Sequence, residues 1–208
     1  MSTGELGLRE LKRRMTRDSI ADAALQLTLE HGLANLTIEE IARVAFVSPR
    51  TVSNYFAQKE EAVVAAGTGE TMDMIEAFSQ RPIDEPPLQS LCLILSDYLH
   101  SIDADELRLS AQKMQLVDDN PALRPFQVAQ YAELEETVRL KVAERTGTDL
   151  ETDPYPWLVA GAAVSAANTA MRLWVKSETP PERLADFIQE AFTLISKGLP
   201  LPRHSSIS

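Results

Sequence analysis

Ile38–Phe56 reads IEEIARVAFVSPRTVSNYF, and its punctuation is that of two short helices folded across a tight turn. Thr37 offers a hydroxyl cap to the first helix, and Glu40 stands three residues on, which makes a capping box. Ile38, Ile41, Ala42 and Ala45 supply one apolar stripe. Ser48-Pro49 opens the second helix, a hydroxyl followed by proline at the first helical position. Val52 and Phe56, at i and i+4, form its inner side. Val47 fills the turn, and the small Ala42 and Ala45 let the helices approach closely. Arg50, Thr51, Ser53 and Asn54 then point outward. These side chains suit base edges and phosphates in a major groove wide enough to accept a helix. The same layout is also that of an ordinary helical corner.

On either side of this stretch the pattern stays helical. Ile20, Ala23, Ala24 and Leu27 place an apolar face on a helix over Arg17–His31, ended by Gly32. Lys59-Glu60-Glu61 opens a helix expected to run to about Ser79. Residues 80–87 hold three prolines, so no helix crosses them. Further helices are expected over Leu88–Ile102, Glu106–Val117, Pro125–Arg145, Asp153 to beyond Trp174, and Glu182–Lys197. The fold class is all-α, with about nine helices, no strand and no repeat. Residues 1–60 form a three-helix helix-turn-helix domain, and 61–200 a helical bundle. Residues 201–208 read as a disordered tail.

Net charge is −11, but its distribution is uneven. Residues 1–59 carry a net charge of +1 and the remainder −12. Arg9, Lys12, Arg13, Arg14 and Arg17 form a basic cluster, either a nucleic-acid arm or a solvated helix start. A single cysteine, Cys92, and three scattered histidines exclude a disulfide framework or zinc cluster. No cofactor is expected. No Gly-rich phosphate loop, metal cluster or nucleophile–base motif is visible, which speaks against an enzyme. Secretory signal order and long uncharged apolar runs are missing too, so the expectation is a cytoplasmic protein without a membrane partner.

Ile20, Ala23, Ala24, Leu27, Glu30 and Gly32, then Leu36, Thr37, Ile38, Ile41, Ala42, Ala45, Val47 and Ser48, then Thr51, Tyr55, Phe56, Lys59 and Glu60 resemble the TetR family signature nearly position by position. Several are polar, so packing alone does not require them. The resemblance implies a DNA-binding transcriptional regulator whose C-terminal half dimerises and takes a small ligand. It places Thr37 and Lys59 on phosphates at helix starts, where backbone N–H groups favour anions. Tyr55 would contact phosphate or only core. Ser48, Pro49, Arg50, Thr51 and Asn54 would face bases or nearby backbone, and Arg13, Arg14 and Arg17 the backbone or minor groove. One position departs: the family usually has glycine where this chain has Phe46. A left-handed residue there costs about 1–2 kcal/mol without glycine. The turn is expected to adapt, or Phe46 to recover the cost by packing.

Beyond residue 62 the likeness fades. Val142–Thr148 and Asp153–Trp157 are similar to actinobacterial members with an acyl-CoA-like ligand domain. Gly161, Ser165 and Thr169, with Phe187, Ala191 and Leu194, are candidates for a two-fold helical interface, or for burial within one chain. Met74, Leu95, Tyr98 and Met114 are candidate pocket walls. Phe126, Tyr131, Asn168 and Trp174 join them, and residues of these types more often build core than a ligand wall. The expected partners are double-stranded DNA, a second copy and a small inducer of apolar or acyl type. The expected action is repression at an inverted-repeat operator. The alternative is a helical scaffold that binds no DNA.

Overall fold

The computed structural model describes residues 3–177 and 179–201. Among them are ten α-helices and no strand: α1 Thr3–His31, α2 Ile38–Val44, α3 Pro49–Tyr55, α4 Lys59–Ala65, α5 Thr68–Phe78, α6 Pro87–Ser101, α7 Ala104–Asp119, α8 Arg124–Thr146, α9 Pro154–Ser177 and α10 Leu184–Ser196. Of the expected tail 201–208, all but Leu201 lies outside the described residues.

Two helices differ from the sequence expectation. The helix from Lys59 is broken into α4 and α5, because Gly67 takes φ +78° between them. That raises the count from about nine to ten. The first helix starts at Thr3 rather than Arg17. Residues 7–15 are all exposed, so this part lacks an inward stripe. Leu8, Leu11 and Met15 are exposed there, yet the segment is rich in helix formers.

The chain resolves into two compact units, Met1–Asp73 with Arg108–Glu133, and Met74–Leu107 with Leu134–Ser208. In the first, α1 is the spine. Ile20, Ala21, Ala24 and Leu27 are buried together with Ile41, Ala42, Val52, Phe56 and the α4 residues Ala62, Val63 and Val64. Helix ends are closed locally. Thr37 caps α2 as read from sequence, accepting the Glu40 backbone N–H at 3.2 Å, but the Glu40 carboxylate takes the Thr37 hydroxyl at 2.9 Å where a full capping box has it on the cap backbone N–H. Ser48 caps α3 in the same way, accepting the Thr51 N–H at 3.1 Å. Lys113 of α7 donates its ammonium to the Ala66 carbonyl, at the broken end of α4. Burial lowers the Lys113 pKa from 10.5 to about 8, with Glu70 and Asp22 opposing.

In the second unit, Ile75, Phe78, Ile94, Val138, Val142, Val159 and Ala160 form the core, while α10 packs on α9 and α6. The proline-rich link ahead of α6 is pinned by side chains. Arg81 donates to both Glu85 oxygens, at 2.8 and 2.6 Å, and Ser90 Oγ donates to Glu85 Oε2 at 2.6 Å. Arg145 of α8 donates to Ser90 Oγ and to the carbonyls of Pro82 and Glu85, and lies 4.6 Å over the Phe78 ring. Helix α9 is long and apolar enough to cross a membrane by length and composition alone, with mean hydropathy 1.2. The sequence reading looked for an unbroken apolar run, which Ser165, Asn168 and Thr169 interrupt. Its inner side packs on α10 and α6.

Two tests follow from these contacts. Thr37→Ala removes the α2 cap and is expected to lower stability by about 1 kcal/mol, while Thr37→Ser restores it; thermal melts decide. For Lys113, the unfolded chain keeps its proton to 10.5 and the folded chain releases it near 8. Between those values the unfolded state binds more protons, so this group's contribution to stability rises with pH. Melts from pH 7 to 10 should show wild type gaining on Lys113→Met; parallel curves would refute the burial.

Candidate functional site

The helix-turn-helix is built from two burial decisions. Ile41 and Ala42 of α2, and Val52 and Phe56 at and just beyond α3, are at most 2% exposed. Val47 and Tyr55 pack on the same core. With that side fixed, the opposite side of α3 must face solvent. Pro49, Arg50, Ser53 and Asn54 are exposed, and Thr51 is half-exposed. Ser53 Oγ turns back to the Pro49 carbonyl at 3.2 Å, and the Thr51 hydroxyl shares a hydrogen bond with Ser48 Oγ at 2.8 Å. Among the described residues, no hydrogen bond or ion pair engages the side chains of Arg50 and Asn54, the pair best suited to reading base edges. The stretch from Ile41 to Lys59 carries three cations and no carboxylate. Its field therefore suits a polyanion although the chain as a whole is acidic.

Three sequence-chosen cations have partners inside the protein that the sequence did not reveal. Arg17 donates to Thr68 Oγ1 at 2.9 Å and lies 5.0 Å over the Phe56 ring, so it braces α1 against α5 and the helix-turn-helix core. Arg14 pairs with Asp73 at 2.6 Å, an exposed contact worth little by itself. Lys59 donates its ammonium to the carbonyls of Leu33 and Leu36, both at 2.9 Å, and so holds the turn that leads into α2. Arg13 is exposed. Tyr55 is half-buried, with its ring in the core contact the sequence left open.

Phe46 corrects an expectation. The turn does not adapt, and the side chain does not pack. Phe46 keeps the left-handed conformation, φ 55°, and is 96% exposed. The local hydrogen bonds explain the conformation. Val47 N–H donates to the Ala42 carbonyl at 2.9 Å and Phe46 N–H to Arg43 at 3.4 Å. That is the paired closure of a helix end whose penultimate residue must be left-handed. The end of α10 closes likewise, Leu199 N–H to Leu194 at 2.9 Å, but there the closing position is Gly198, with Leu199 after it also left-handed at φ 52°. At α2 the cost of about 1–2 kcal/mol falls on a phenylalanine.

The candidates in the C-terminal half are scattered in character. Met114 and Trp174 are buried, and the Trp174 indole N–H donates to the Pro180 carbonyl at 3.2 Å. Phe126 packs on the core of the first unit and Met74 on that of the second. Leu95, Tyr98, Tyr131 and Asn168 are half-buried. None of the eight lines the open cleft of about 470 Å³ along α1, which is walled by Met15, Asp18, Asp22 and Val44 among others. On α9, Ser165 and Thr169 are exposed and Gly161 is half-buried against Glu135 of α8. Phe187 and Ala191 of α10 are half-buried, and Leu194 is exposed.

Comparison with known proteins agrees with this geometry. The sequence pattern described as bacterial regulatory proteins of the tetR family matches residues 20–66, and that of the MftR C-terminal domain matches residues 85–200. The HTH-type transcriptional regulator TcmR of Streptomyces glaucescens is 30% identical over 89% of this chain and 84% of its own length. MftR of Mycobacterium tuberculosis (strain ATCC 25618 / H37Rv) is 24% identical over 90% of this chain and 93% of its own. In fold, the chain is similar to Thermus thermophilus FadR, a TetR-family repressor solved with lauroyl-CoA, at TM-score 0.56 and 20% identity, covering 92% of this chain and 99% of that one. With a solvent-facing α3 on a fixed inner core and matches across both halves, the chain belongs to the TetR family of DNA-binding transcriptional regulators, which are not enzymes.

Proposed function

We propose that this regulator is a cytoplasmic repressor that binds an inverted-repeat operator as a homodimer and is released by a small apolar or acyl-type ligand. The observation that carries the reading is the outward face of α3, where Arg50 and Asn54 stand exposed over a buried Val52 and Phe56. Residues 1–60 do the reading, with Thr37, Ser48, Pro49 and Thr51 beside the base-facing pair. Residues 61–200 dimerise and sense the ligand. One recognition helix meets only a few base pairs, so a specific site needs two, held about one DNA turn apart. Repression needs no further part, since a dimer on a promoter excludes the polymerase.

The dimer reading draws on α9. Leu158, Ser165, Thr169 and Leu173 recur at spacings that share one helix face, and all four are exposed in the single chain. Such an apolar and small-residue stripe is what a two-fold helix packing buries. Ligand action follows by linkage. A ligand that prefers the dimer form with mismatched recognition helices weakens DNA binding, and DNA weakens the ligand by the same factor. The acyl-type class is supported by the FadR likeness and by the phrases Val142–Thr148 and Asp153–Trp157.

The test is a gel shift of the whole protein on the intergenic DNA upstream of its own gene, with salt titrated and random DNA as competitor. Specific binding that weakens as salt rises is expected. The double variant Arg50→Ala, Asn54→Ala should lose at least about tenfold in specific affinity with an unchanged thermal melt. Absence of any specific site, including after genome-wide selection, would favour the scaffold that binds no DNA. For the dimer, Thr169→Arg should yield a species at the single-chain mass of 23.0 kDa by light scattering, against twice that for wild type. Two equal masses would remove the α9 interface from the account.

A further inference from the structure

The turn between α2 and α3 carries an aromatic ring that the protein does not use for its own packing. Phe46 stands at φ 55° with its side chain 96% exposed, while Val47 next to it is packed on the core. Two unfavourable features coincide there: a left-handed backbone without glycine, and an apolar ring left in water. Glycine would relieve both, and the hydrogen bonds that close α2 ask only for the backbone. Strain that the fold itself does not need points to a contact made outside the folded chain.

The chain's own order narrows what that contact is. Phe46 lies two residues before Ser48, the cap of α3, and so stands beside the helix end that presents Pro49 and Arg50. Arg43 and Arg50 flank it in sequence, both exposed, and no carboxylate occurs between Ile41 and Lys59. A ring set among cations on an acid-free stretch fits a polyanion that also offers an apolar spot. A phenylalanine cannot donate or accept a hydrogen bond, so it reads nothing on a base edge except a methyl. In the major groove that group is the thymine C5-methyl.

We propose that Phe46 is a specificity-determining residue, whose ring packs on the C5-methyl of a thymine bordering the bases met by the first turn of α3. This deepens the regulator reading and rests on α3 being the recognition helix. It means that the turn, and not α3 alone, sets part of the operator sequence. It also gives the left-handed phenylalanine a role that a glycine at the same position could not fill.

The experiment selects binding sites for the full chain from a pool of random duplexes. It then titrates the selected site, and copies with each thymine replaced by deoxyuridine, against wild type, Phe46→Gly and Phe46→Ala. Wild type is expected to lose about 5- to 20-fold on deoxyuridine at one symmetric position in each half-site. Both variants should lose a similar factor on the thymine duplex and no longer distinguish the two bases. A thermal midpoint for Phe46→Gly at or above that of wild type keeps misfolding out of the result. Equal binding by all three proteins overturns the proposal. So does an equal loss on thymine and deoxyuridine, which would put the ring on sugar or backbone. A changed oligomeric mass in Phe46→Gly overturns it in favour of a protein interface. Failure of wild type to select any site overturns the recognition-helix reading and this proposal together, an outcome distinct from the others.

Discussion

Val52 and Phe56 leave α3 only one way to lie. Both side chains are at most 1% exposed, closed over by Ile41, Ala42 and the α1 residues Ile20, Ala24 and Leu27. Each fully buried residue of this size contributes about 1.5–3 kcal/mol through the hydrophobic effect, and rotating α3 would surrender both at once. That cost fixes the azimuth of a seven-residue helix too short to be stable alone. Everything functional hangs on it, because the same rotation decides whether Arg50 and Asn54 meet solvent or core. The caps at Thr37 and Ser48 set where the two helices begin, and the left-handed closure at Phe46 sets the angle between them.

Around this constraint the cations divide their labour in a way that charge counting does not show. Arg17 and Lys59 are cations of the kind expected on DNA phosphates, yet both make their contacts within the protein. Arg17 stacks over Phe56 and bonds Thr68, and Lys59 satisfies two carbonyls at Leu33 and Leu36. They pre-set the helix-turn-helix rather than replace its contacts with bases. Lys113 acts similarly at the far end of α4, where Gly67 breaks the helix and the Ala66 carbonyl needs a donor. A half-buried lysine there costs desolvation, which is why its proton is held less tightly than in water.

The parts legible in the sequence were those encoded within a few residues. The α1 stripe at Ile20, Ala23, Ala24 and Leu27 follows from helical period, and the Thr37 cap on Glu40 N–H from a three-residue spacing. The proline break before α6 needed only the residues that form it. What was not legible depended on partners far along the chain. The Arg17–Thr68 bond spans 51 residues, and the Lys59–Leu33 bond 26. The Phe46 conformation was a choice between adaptation and strain, and local hydrogen bonds at Ala42 and Arg43 decided it. Core and ligand wall use the same residue types, so pattern alone did not separate the buried Met114 and Trp174 from the half-buried Leu95 and Tyr98. The early half of α1 was missed because a helix with no buried face leaves no periodic signature.

In the proposed reading, the outer face of α3 enters the major groove twice per dimer. Hydroxyl-radical footprinting of the whole protein on operator DNA tests it most directly. Two protected patches are expected on one face of the duplex, their centres about 10 base pairs or a multiple of that apart, symmetric about the repeat. Protection that is absent, uniform along the fragment, or confined to a single patch at saturation would contradict it.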